Sequence, residues 1–288
     1  MTRTTEQDDA PSVSPEHAFA LLGNETRIDI IQALGEISDK SLSFSELRNQ
    51  VDVADSGQFN YHLKKLTGSF IHQTDQRKYK LTYAGDQVIG AIFSGTFDQR
   101  NNSRVIDLDS TCTTCGSGLI AEYKSELVSI RCTTCDDQKS TFGFPPGAFE
   151  NRTNAELEGA FDTWIRLYLS ALQGEYCLNC SGRIRGSIID NSEYLDEHEV
   201  GIEHACERCT NRSVNSVGAY LLYQPIVVAF HYDHDINLDE IPLWQLEWLH
   251  EEETTILSLD PWRIQFSSSI NGNRLEVELD ENLFVSVI

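Results

Sequence analysis

All eight cysteines of this 288-residue chain occur in four Cys-x-x-Cys pairs. Sixteen residues separate the first two pairs, and twenty-five separate the last two. Two pairs supply four thiolates, which suit tetrahedral zinc, and a Cys-x-x-Cys turn presents two sulfurs to one ion. The spacing therefore predicts two structural zinc ions, the first held by Cys112, Cys115, Cys132 and Cys135 and the second by Cys177, Cys180, Cys206 and Cys209.

Other uses of the cysteines fit the sequence less well. A thioredoxin-like redox motif occurs once, after a strand in a βαβ unit, and a catalytic zinc keeps an open coordination position that four cysteines close. Pairing within each unit is expected because shorter loops cost less entropy to close. We interpret His198, His204 and the HYDHD stretch at residues 231–235 as solvated polar residues rather than metal ligands. A thiol switch stays open as an alternative role of the cysteines.

Strand patterns surround both cysteine units. LIAEYK and LVSIRC favour a hairpin in the first unit, and RIRGSII and HEVGIEHA favour strands in the second. The sequence thus predicts zinc-ribbon-like units at residues 105–147 and 174–215. Between them, Thr153 and Glu156 form a capping-box pattern that opens a connecting helix at residues 153–173. The apolar stripe of this helix is expected to pack as core.

Residues 216–288 predict a β-rich region that ends in a small antiparallel sheet. TTILSL, WRIQFSSSI and RLEVELD read as strands, Asn271-Gly272 is typical of a hairpin turn, and FVSVI closes the sheet. Trp244, Trp248 and Trp262 are concentrated in this region. We interpret them as core of the small sheet, with the lining of a ligand pocket as the alternative.

Residues 15–95 show helical periodicity followed by a hairpin pattern. FSELRNQV, a turn and QFNYHLKKL make a helix-turn-helix candidate, whose second helix has an apolar stripe of Phe59, Leu63 and Leu66. FIHQTDQRKYKLT predicts a basic hairpin after it. Amides read bases and basic side chains hold phosphate. The predicted DNA-contacting residues are therefore Gln58, Asn60, Tyr61, Lys64 and Lys65 on the helix and Arg77, Lys78 and Lys80 on the hairpin.

Four segments carry a resemblance to a known family. LLGNETRIDIIQAL, FSELRNQV, SGQFNYHLKKL and YKLTYAG occur in the order and at the separations of the winged helix-turn-helix of ArsR-type transcription regulators of halophilic archaea. The resemblance implies that the helix at residues 57–66 lies in the major groove and that the hairpin at residues 70–82 is the wing. It also implies that TYAGDQVIGAIFSG forms a last helix that pairs two subunits. Residues 105–288 resemble, more loosely, the ribbon-containing C-terminal halves of such regulators.

Charge is distributed unevenly along the chain. The net charge is −23; residues 16–90 carry 8 basic and 10 acidic side chains, whereas residues 91–288 carry 13 and 32. Acidity that spans several domains is typical of halophilic proteins, and an ordinary acidic protein is the alternative. Residues 1–14 are expected to be a disordered leader without the apolar stretch of a signal. Since no apolar run reaches the roughly 18 residues of a membrane helix, the sequence predicts a cytoplasmic protein without a membrane partner.

Together these features predict an α+β chain with an N-terminal winged helix-turn-helix, two zinc-ribbon-like units and a small C-terminal antiparallel sheet. The expected function is that of a homodimeric, sequence-specific transcription regulator of double-stranded DNA. Its acidic half would set dimer geometry or receive a small-molecule or protein effector. The alternatives are an adaptor that docks its ribbons onto the transcription machinery and a thiol-based redox sensor. An enzyme is not expected, because no paired carboxylates, nucleophile with base or phosphate loop stands out.

Overall fold

A computed structural model of the protein describes residues 14–37, 41–97, 103–135, 137–190, 200–249 and 254–288. The fold is α+β and divides into two compact units, unit 1 at Met1–Gln99 and unit 2 at Arg100–Ile288. The described residues form eight α-helices and four antiparallel sheets. The predicted leader falls on residues of which the structure describes only Ser14.

Unit 1 consists of helices and one hairpin. Its elements are α1 Pro15–Leu22, α2 Glu25–Gly35, α3 Phe44–Gln50, α4 Ser56–Leu66, β1 Ile71–Gln73, β2 Tyr79–Leu81 and α5 Tyr83–Phe93. The helices begin where the sequence supplies a cap: Asn24 before α2 and Asp55 before α4 accept backbone N–H groups of the first turn. Ser43 and Glu46 form a complete capping box on α3.

The core of unit 1 determines which face of α4 points outward. The predicted stripe of Phe59, Leu63 and Leu66 is fully buried. It packs with the buried face of α2 in one apolar core, which also includes Leu47 of α3 and Ile71 of β1. Burying a large apolar side chain contributes about 1.5–3 kcal/mol, so a rotation of α4 that exposed this stripe would cost several times that amount.

Backbone hydrogen bonds hold the hairpin of β1 and β2, which pair antiparallel. Leu42 and Tyr79 exchange both backbone bonds, at 3.1 and 2.7 Å, so the segment before α3 lies alongside β2. At the start of α5 the Thr82 hydroxyl donates to the Ser69 carbonyl oxygen at 2.7 Å. These bonds fix the hairpin to the segment before α3 and to the start of α5.

Unit 2 begins with a four-stranded antiparallel meander. Its strands are β3 Arg104–Thr111, β4 Gly118–Lys124, β5 Leu127–Cys132 and β6 Gln138–Gly143, and they neighbour one another in that order. The hairpin predicted from LIAEYK and LVSIRC is β4 and β5. Alternate side chains of the meander, among them Ile106, Ala121 and Val128, are fully buried in one core. A 3₁₀ helix at Pro146–Phe149 leads from β6 toward the long helix α6, Asn154–Gln173.

Helix α6 contributes to two cores of unit 2. Leu157 and Phe161 in its first half pack against the meander, while Leu169 and Leu172 pack in the second core. The predicted capping box is confirmed, since the Thr153 N–H donates to the Glu156 carboxylate at 2.8 Å. With 20 residues, α6 is the longest described helix. No helix within the described ranges combines the length and apolar character needed to cross a membrane.

The second core joins a three-stranded sheet to the C-terminal sheet. The elements are β7 Ile184–Asp190, β8 Val200–Cys206, β9 Arg212–Ser216, α7 Val217–Leu221, α8 Pro225–Tyr232, 3₁₀ helices at Leu238–Glu240, Leu243–Gln245 and Glu247–Leu249, and then β10 Thr254–Leu259, β11 Trp262–Ile270, β12 Asn273–Asp280 and β13 Val285–Val287. The prediction of a β-rich region from residue 216 is wrong for its first half, which is helical. Pro225 starts α8 at a position where a missing N–H costs nothing. The Asn271-Gly272 turn is confirmed, with positive φ at both residues.

The three C-terminal tryptophans do not form one cluster. Trp244 is fully buried in the core of the meander and donates its Nε1–H to the Ser110 hydroxyl at 3.1 Å. The same hydroxyl donates to the buried carboxylate of Glu158. Trp248 and Trp262 instead pack against the second core. The expectation that all three fill the C-terminal sheet is therefore wrong for Trp244.

Two glycines of α5 provide a matched test of the packing in unit 1. A Cβ at Gly85 would clash with the Phe70 carbonyl oxygen and lie 3.0 Å from the Leu81 side chain, whereas a Cβ at Gly90 meets nothing within 4 Å. We predict that Gly85→Ala destabilises unit 1 by about 1–3 kcal/mol. Gly90→Ala should stabilise it by about 0.5–1 kcal/mol through helix propensity. Amide hydrogen exchange of α4 and α5 measures unit 1 separately, and equal protection in both variants would contradict the packing.

Candidate metal centres and nucleic-acid interface

The first cysteine cluster lies at one end of the meander. Cys112 and Cys115 lie in the turn between β3 and β4, Cys132 ends β5, and Cys135 lies in the turn that follows. The Sγ atoms of Cys112 and Cys135 are 3.7 Å apart, and those of Cys115 and Cys132 are 3.4 Å apart. A tetrahedral ion with bonds near 2.3 Å places sulfurs roughly 3.8 Å apart, whereas a disulfide joins them at about 2.05 Å. The cluster thus has the spacing of a four-sulfur metal site.

The second cluster repeats this arrangement. Cys177 and Cys180 follow α6, Cys206 ends β8, and Cys209 lies in the turn before β9. The Sγ distances are 3.8 Å between Cys177 and Cys209 and 3.5 Å between Cys180 and Cys206. In each cluster all four sulfurs lie within 4.8 Å of one another, and all eight cysteines are free of disulfides. The predicted pairing within each unit is confirmed, and both clusters could hold a metal ion.

The same backbone turn forms all four Cys-x-x-Cys pairs. In each pair the N–H of the first cysteine donates to the carbonyl oxygen five residues later, at 2.7 to 3.0 Å. Gly116, Ser181 and Thr210 follow three of the pairs and all have positive φ, while the residue after the fourth, at position 136, lies outside the described residues. This repeated geometry brings the two sulfurs of each pair together from a tight turn.

Electrostatics at the clusters favour a bound cation. Hydrogen bonds from Ser117 lower the pKa of Cys115 to about 6, and the Asn179 side chain lowers that of Cys209 to about 6. Burial and the neighbouring Cys209 raise the pKa of Cys180 to about 12. Four sulfurs at this spacing do not all ionise unless a cation offsets their charge. A bound metal ion would supply that charge.

Two contacts near the clusters were not singled out from the sequence. The Asn179 side-chain amide donates to Cys209 Sγ at 3.4 Å. Lys139, 9% exposed, donates to the Thr113 hydroxyl at 2.9 Å and pairs with Asp137 at 2.7 Å beside the first cluster. Such outer partners orient metal ligands. Their only sequence signal is position, since Asn179 lies inside a cysteine pair and Lys139 four residues after one.

No histidine within the described ranges joins either cysteine cluster. The expectation that His204 is solvated is wrong, because His204 is buried beside Tyr220, with ring centroids 6.1 Å apart, and burial lowers its pKa. His198 lies outside the described residues. The HYDHD stretch is not a solvated loop at its start, because α8 extends through His231, which is 2% exposed. Apart from the two cysteine clusters, the described residues contain no group of side chains placed to hold a metal ion.

Five of the predicted DNA-contacting residues lie on α4. Gln58, Lys64 and Lys65 are exposed, Tyr61 is 55% exposed, and Asn60 is half-buried. The Lys65 ammonium lies 5.7 Å from the centre of the Tyr61 ring, within cation–π range. The face opposite the buried stripe therefore presents an amide, a phenol and two ammonium groups to solvent.

The other three predicted residues lie on the hairpin. Arg77 is exposed at the tip of the hairpin with a positive φ of 59°. Lys78, just before β2, and Lys80, on β2, are half-buried. The tip is closed by hydrogen bonds between Thr74 and Lys78, from the Thr74 N–H to the Lys78 carbonyl at 2.8 Å and from the Lys78 N–H to the Thr74 hydroxyl at 3.2 Å. In the ladder Lys80 lies opposite His72. The hairpin thus holds three basic side chains on a fixed backbone.

The turn between α3 and α4 is also fixed. The Arg48 guanidinium donates to the Ala54 carbonyl oxygen at 3.0 Å, and Val51 is buried in the core of unit 1. Asp55 then accepts from the Gly57 N–H at 2.7 Å. These contacts set the angle at which α4 leaves the turn. The sequence analysis identified the turn but not the role of Arg48.

Comparisons with known proteins divide the chain in the same way as the fold. A family model described as a domain of unknown function, DUF7351, matches residues 109–285, which is more than half of the chain and includes both cysteine clusters. A second, DUF7347, also a domain of unknown function, matches residues 15–92 within unit 1. No curated protein and no solved structure matches the chain. The resemblance to ArsR-type regulators stays a prediction.

The clusters predict a metal stoichiometry of two ions per chain. Cys115→Ser/Cys135→Ser should remove one ion and Cys180→Ser/Cys209→Ser the other, because each pair of changes halves the sulfur set of one cluster. His204→Gln is the control and should keep both ions. Elemental analysis of the purified chain by mass spectrometry measures the content. A metal-free wild type, or loss of both ions from one double variant, would contradict two independent sites.

Glycines beside the clusters offer a second test. A Cβ at Gly182 would lie 3.1 Å from both Cys180 Sγ and Cys206 Sγ and 2.8 Å from the Arg208 side chain, whereas a Cβ at Gly118 meets nothing within 4 Å. We predict that Gly182→Ala weakens metal binding at the second cluster by about 10–100-fold, the range seen when ligand orientation is disturbed. Gly118→Ala should leave the first cluster unchanged. Competition with a coloured chelator measures the metal affinity of each variant and of the wild type. If Gly182→Ala binds metal as tightly as the wild type, Gly182 does not shape the site.

Proposed function

We propose that this chain, which belongs to the DUF7351 family, is a cytoplasmic, sequence-specific DNA-binding transcription regulator. In this proposal unit 1 is a winged helix-turn-helix of the ArsR type, with α3 and α4 as its two helices and the β1–β2 hairpin as its wing. Unit 2 holds two structural zinc ions in zinc-ribbon-like sheets, and it sets the geometry of a homodimer or receives an effector. The observation that carries the proposal is the outer face of α4.

The chemistry of that face supports a base-reading role. A recognition helix needs exposed donors and acceptors opposite its buried stripe, so that one face enters the major groove while the other stays in the core. Gln58 offers an amide for adenine, and Lys64 and Lys65 offer ammonium groups for guanine or phosphate. The fixed turn before α4 supports the role further, since base contacts depend on a defined helix angle.

The charge distribution supports unit 1 rather than unit 2 as the DNA-binding part. Residues 16–90 carry 8 basic against 10 acidic side chains, while residues 91–288 carry 13 against 32. Phosphate contacts need cations at the surface, and the hairpin places Arg77, Lys78 and Lys80 together. The acidic excess of unit 2 would repel the DNA backbone. Unit 2 therefore suits a regulatory role away from DNA.

Zinc is the ion that four cysteines favour. Thiolates are soft ligands, and a closed tetrahedral shell of four sulfurs is typical of structural zinc. Such a shell leaves no position for substrate or water, so the ions would support folding rather than catalysis. Each ion would join two Cys-x-x-Cys turns. The first ion would join the turn of Cys112 and Cys115 to that of Cys132 and Cys135, and the second would join the turn of Cys177 and Cys180 to that of Cys206 and Cys209.

Exposed aromatic side chains support the homodimer. Tyr83 and Phe93 on α5 are 76% and 46% exposed, and Phe97 just after the helix is 71% exposed. Aromatic residues are enriched at protein interfaces relative to the rest of the surface. A dimer formed through α5 would present two copies of α4 to a pseudo-palindromic site with half-sites about one helical turn apart.

The lysines of α4 provide the test of the interface. We predict that Lys64→Gln and Lys65→Gln each weaken duplex binding by about tenfold and reduce the dependence of affinity on salt, because each removes a cation from the contact face. The measurement is a fluorescence-anisotropy titration of the full chain with a labelled mixed-sequence duplex, repeated at several KCl concentrations.

Lys124→Gln is the matched control, because Lys124 is also an exposed lysine but lies on β4 of unit 2. It should change affinity by less than about twofold. Equal losses in all three variants would contradict the assignment of α4. A folded, metal-loaded wild type that binds no duplex would favour the adaptor, in which unit 1 binds a protein.

A further inference from the structure

Helix α8 of unit 2 turns an apolar face to solvent. Val227 and His231, one helical turn apart, are buried and hold the helix on unit 2. Positions i, i+3, i+4 and i+7 share one side of a helix, and on the side away from the buried pair these positions are exposed. We call them the outer face of α8, which consists of Pro225, Val228, Ala229 and Tyr232.

The outer face of α8 carries no charge, although unit 2 is strongly acidic. Residues 223–232 include no Asp, Glu, Lys or Arg, whereas residues 91–288 carry 13 basic and 32 acidic side chains. Val228 is 43% exposed and Tyr232 is 74% exposed, and Ile226 beside them is 36% exposed. A helix on a protein surface ordinarily turns charged and polar residues outward, and a helix that is apolar all round is typical of a buried one. The composition of α8 is therefore that of a helix covered on both sides.

The two ends of α8 carry electrostatic features that complement each other. At the N-terminus, Gln224 makes no side-chain hydrogen bond to the first turn, and that turn contains no acidic residue. At the C-terminus, Asp233 and Asp235 are exposed. A helix dipole favours anions at the N-terminus and cations at the C-terminus, so α8 has the reverse of the favourable arrangement. A second α8 in antiparallel orientation would improve both ends, because the carboxylates of one copy would lie beside the N-terminus of the other.

The side chains of the outer face are complementary in size as well. An antiparallel pair with its twofold axis between Val228 and Ala229 brings the Tyr232 ring of one copy to Pro225 of the other. The largest group of the face then meets a compact one, and the small side chain of Ala229 lets the two helices approach closely. A second copy also brings no charge onto the uncharged face. A partner with a charged face would find no counter-charge there.

We propose that α8 is a homodimer contact, in which the outer faces of two copies pack antiparallel. The contact is isologous, because both copies use the same surface. The eight residues of α8 span roughly 12 Å, so two such helices bury less than the roughly 800 Å² per partner of a standard interface. The inference therefore rests on the homodimer of the proposed function, and it names the part of unit 2 that sets the geometry of that dimer.

Charges introduced at Val228 test the contact in the full, metal-loaded chain. Val228→Glu and Val228→Lys should each raise the dissociation constant of the dimer at least about tenfold, because like charges then meet near the axis. An equimolar mixture of the two variants should recover the wild-type value to within about threefold, since Glu of one copy then meets Lys of the other. Sedimentation equilibrium measures all four samples, and circular dichroism shows whether each variant is folded.

Two further variants serve as controls. Val105→Glu is the matched one, because Val105 is a 64% exposed valine on β3, in the meander of unit 2. It should change the dissociation constant by less than about twofold. Phe93→Glu on α5 tests the dimer contact of unit 1 separately, and it should weaken dimerisation whatever the result at α8. Ala229→Glu and Ala229→Lys repeat the experiment at the second axial position if a Val228 variant does not fold.

Three results would overturn the α8 contact. The first is an unchanged dissociation constant in folded Val228→Glu. The second is weaker dimerisation of both Val228 variants without recovery in their mixture, because the outer face would then meet a different surface. In these two cases a dimer that still depends on Phe93 leaves the proposed homodimer intact. The third is a wild-type chain that stays monomeric up to about 1 mM, which would overturn the proposed homodimer too, while the duplex titration tests DNA binding independently.

Discussion

The structure of unit 2 depends on holding four sulfurs together at each of two sheet ends. In each cluster two pairs of Sγ atoms lie 3.4 to 3.8 Å apart. This spacing suits ligands of one tetrahedral ion and is too close for four thiolates without a cation. Each cluster joins two turns that are otherwise separate along the chain. Metal binding would therefore be part of the folding free energy of unit 2. Between the clusters, α6 contributes one half of its apolar stripe to each core.

The two units also differ in their charge. Unit 2 carries most of the acidic excess, and one of its carboxylates is internal, since the buried Glu158 of α6 accepts from the Ser110 hydroxyl. Unit 1 is nearly balanced in charge and presents its lysines outward on α4. DNA affinity that depends on phosphate falls steeply with salt. A protein that binds DNA in concentrated salt would need contacts to the bases, from residues such as Gln58, in addition to contacts between cations and phosphate.

The sequence predicted the features that depend on local spacing. Cys-x-x-Cys pairs, the Asn24 cap and the α4 stripe are set within a few residues, and all are found. The misses depend on distant partners. Trp244 reaches Ser110, 134 residues away, to complete the core of the meander, and no local pattern signals that choice. The apolar stretch YLLYQPIVVAF at residues 220–230 was too short to separate strand from helix. His231 was read as exposed because its burial comes from elements that pack around α8.

The proposed function depends on sequence-specific DNA binding by unit 1. The most direct measurement is selection from a random duplex pool by the full, zinc-loaded chain in molar KCl, followed by sequencing. The account predicts enrichment of an inverted repeat with half-sites about one helical turn apart. A folded chain with both metal ions in place that enriches no sequence would contradict it.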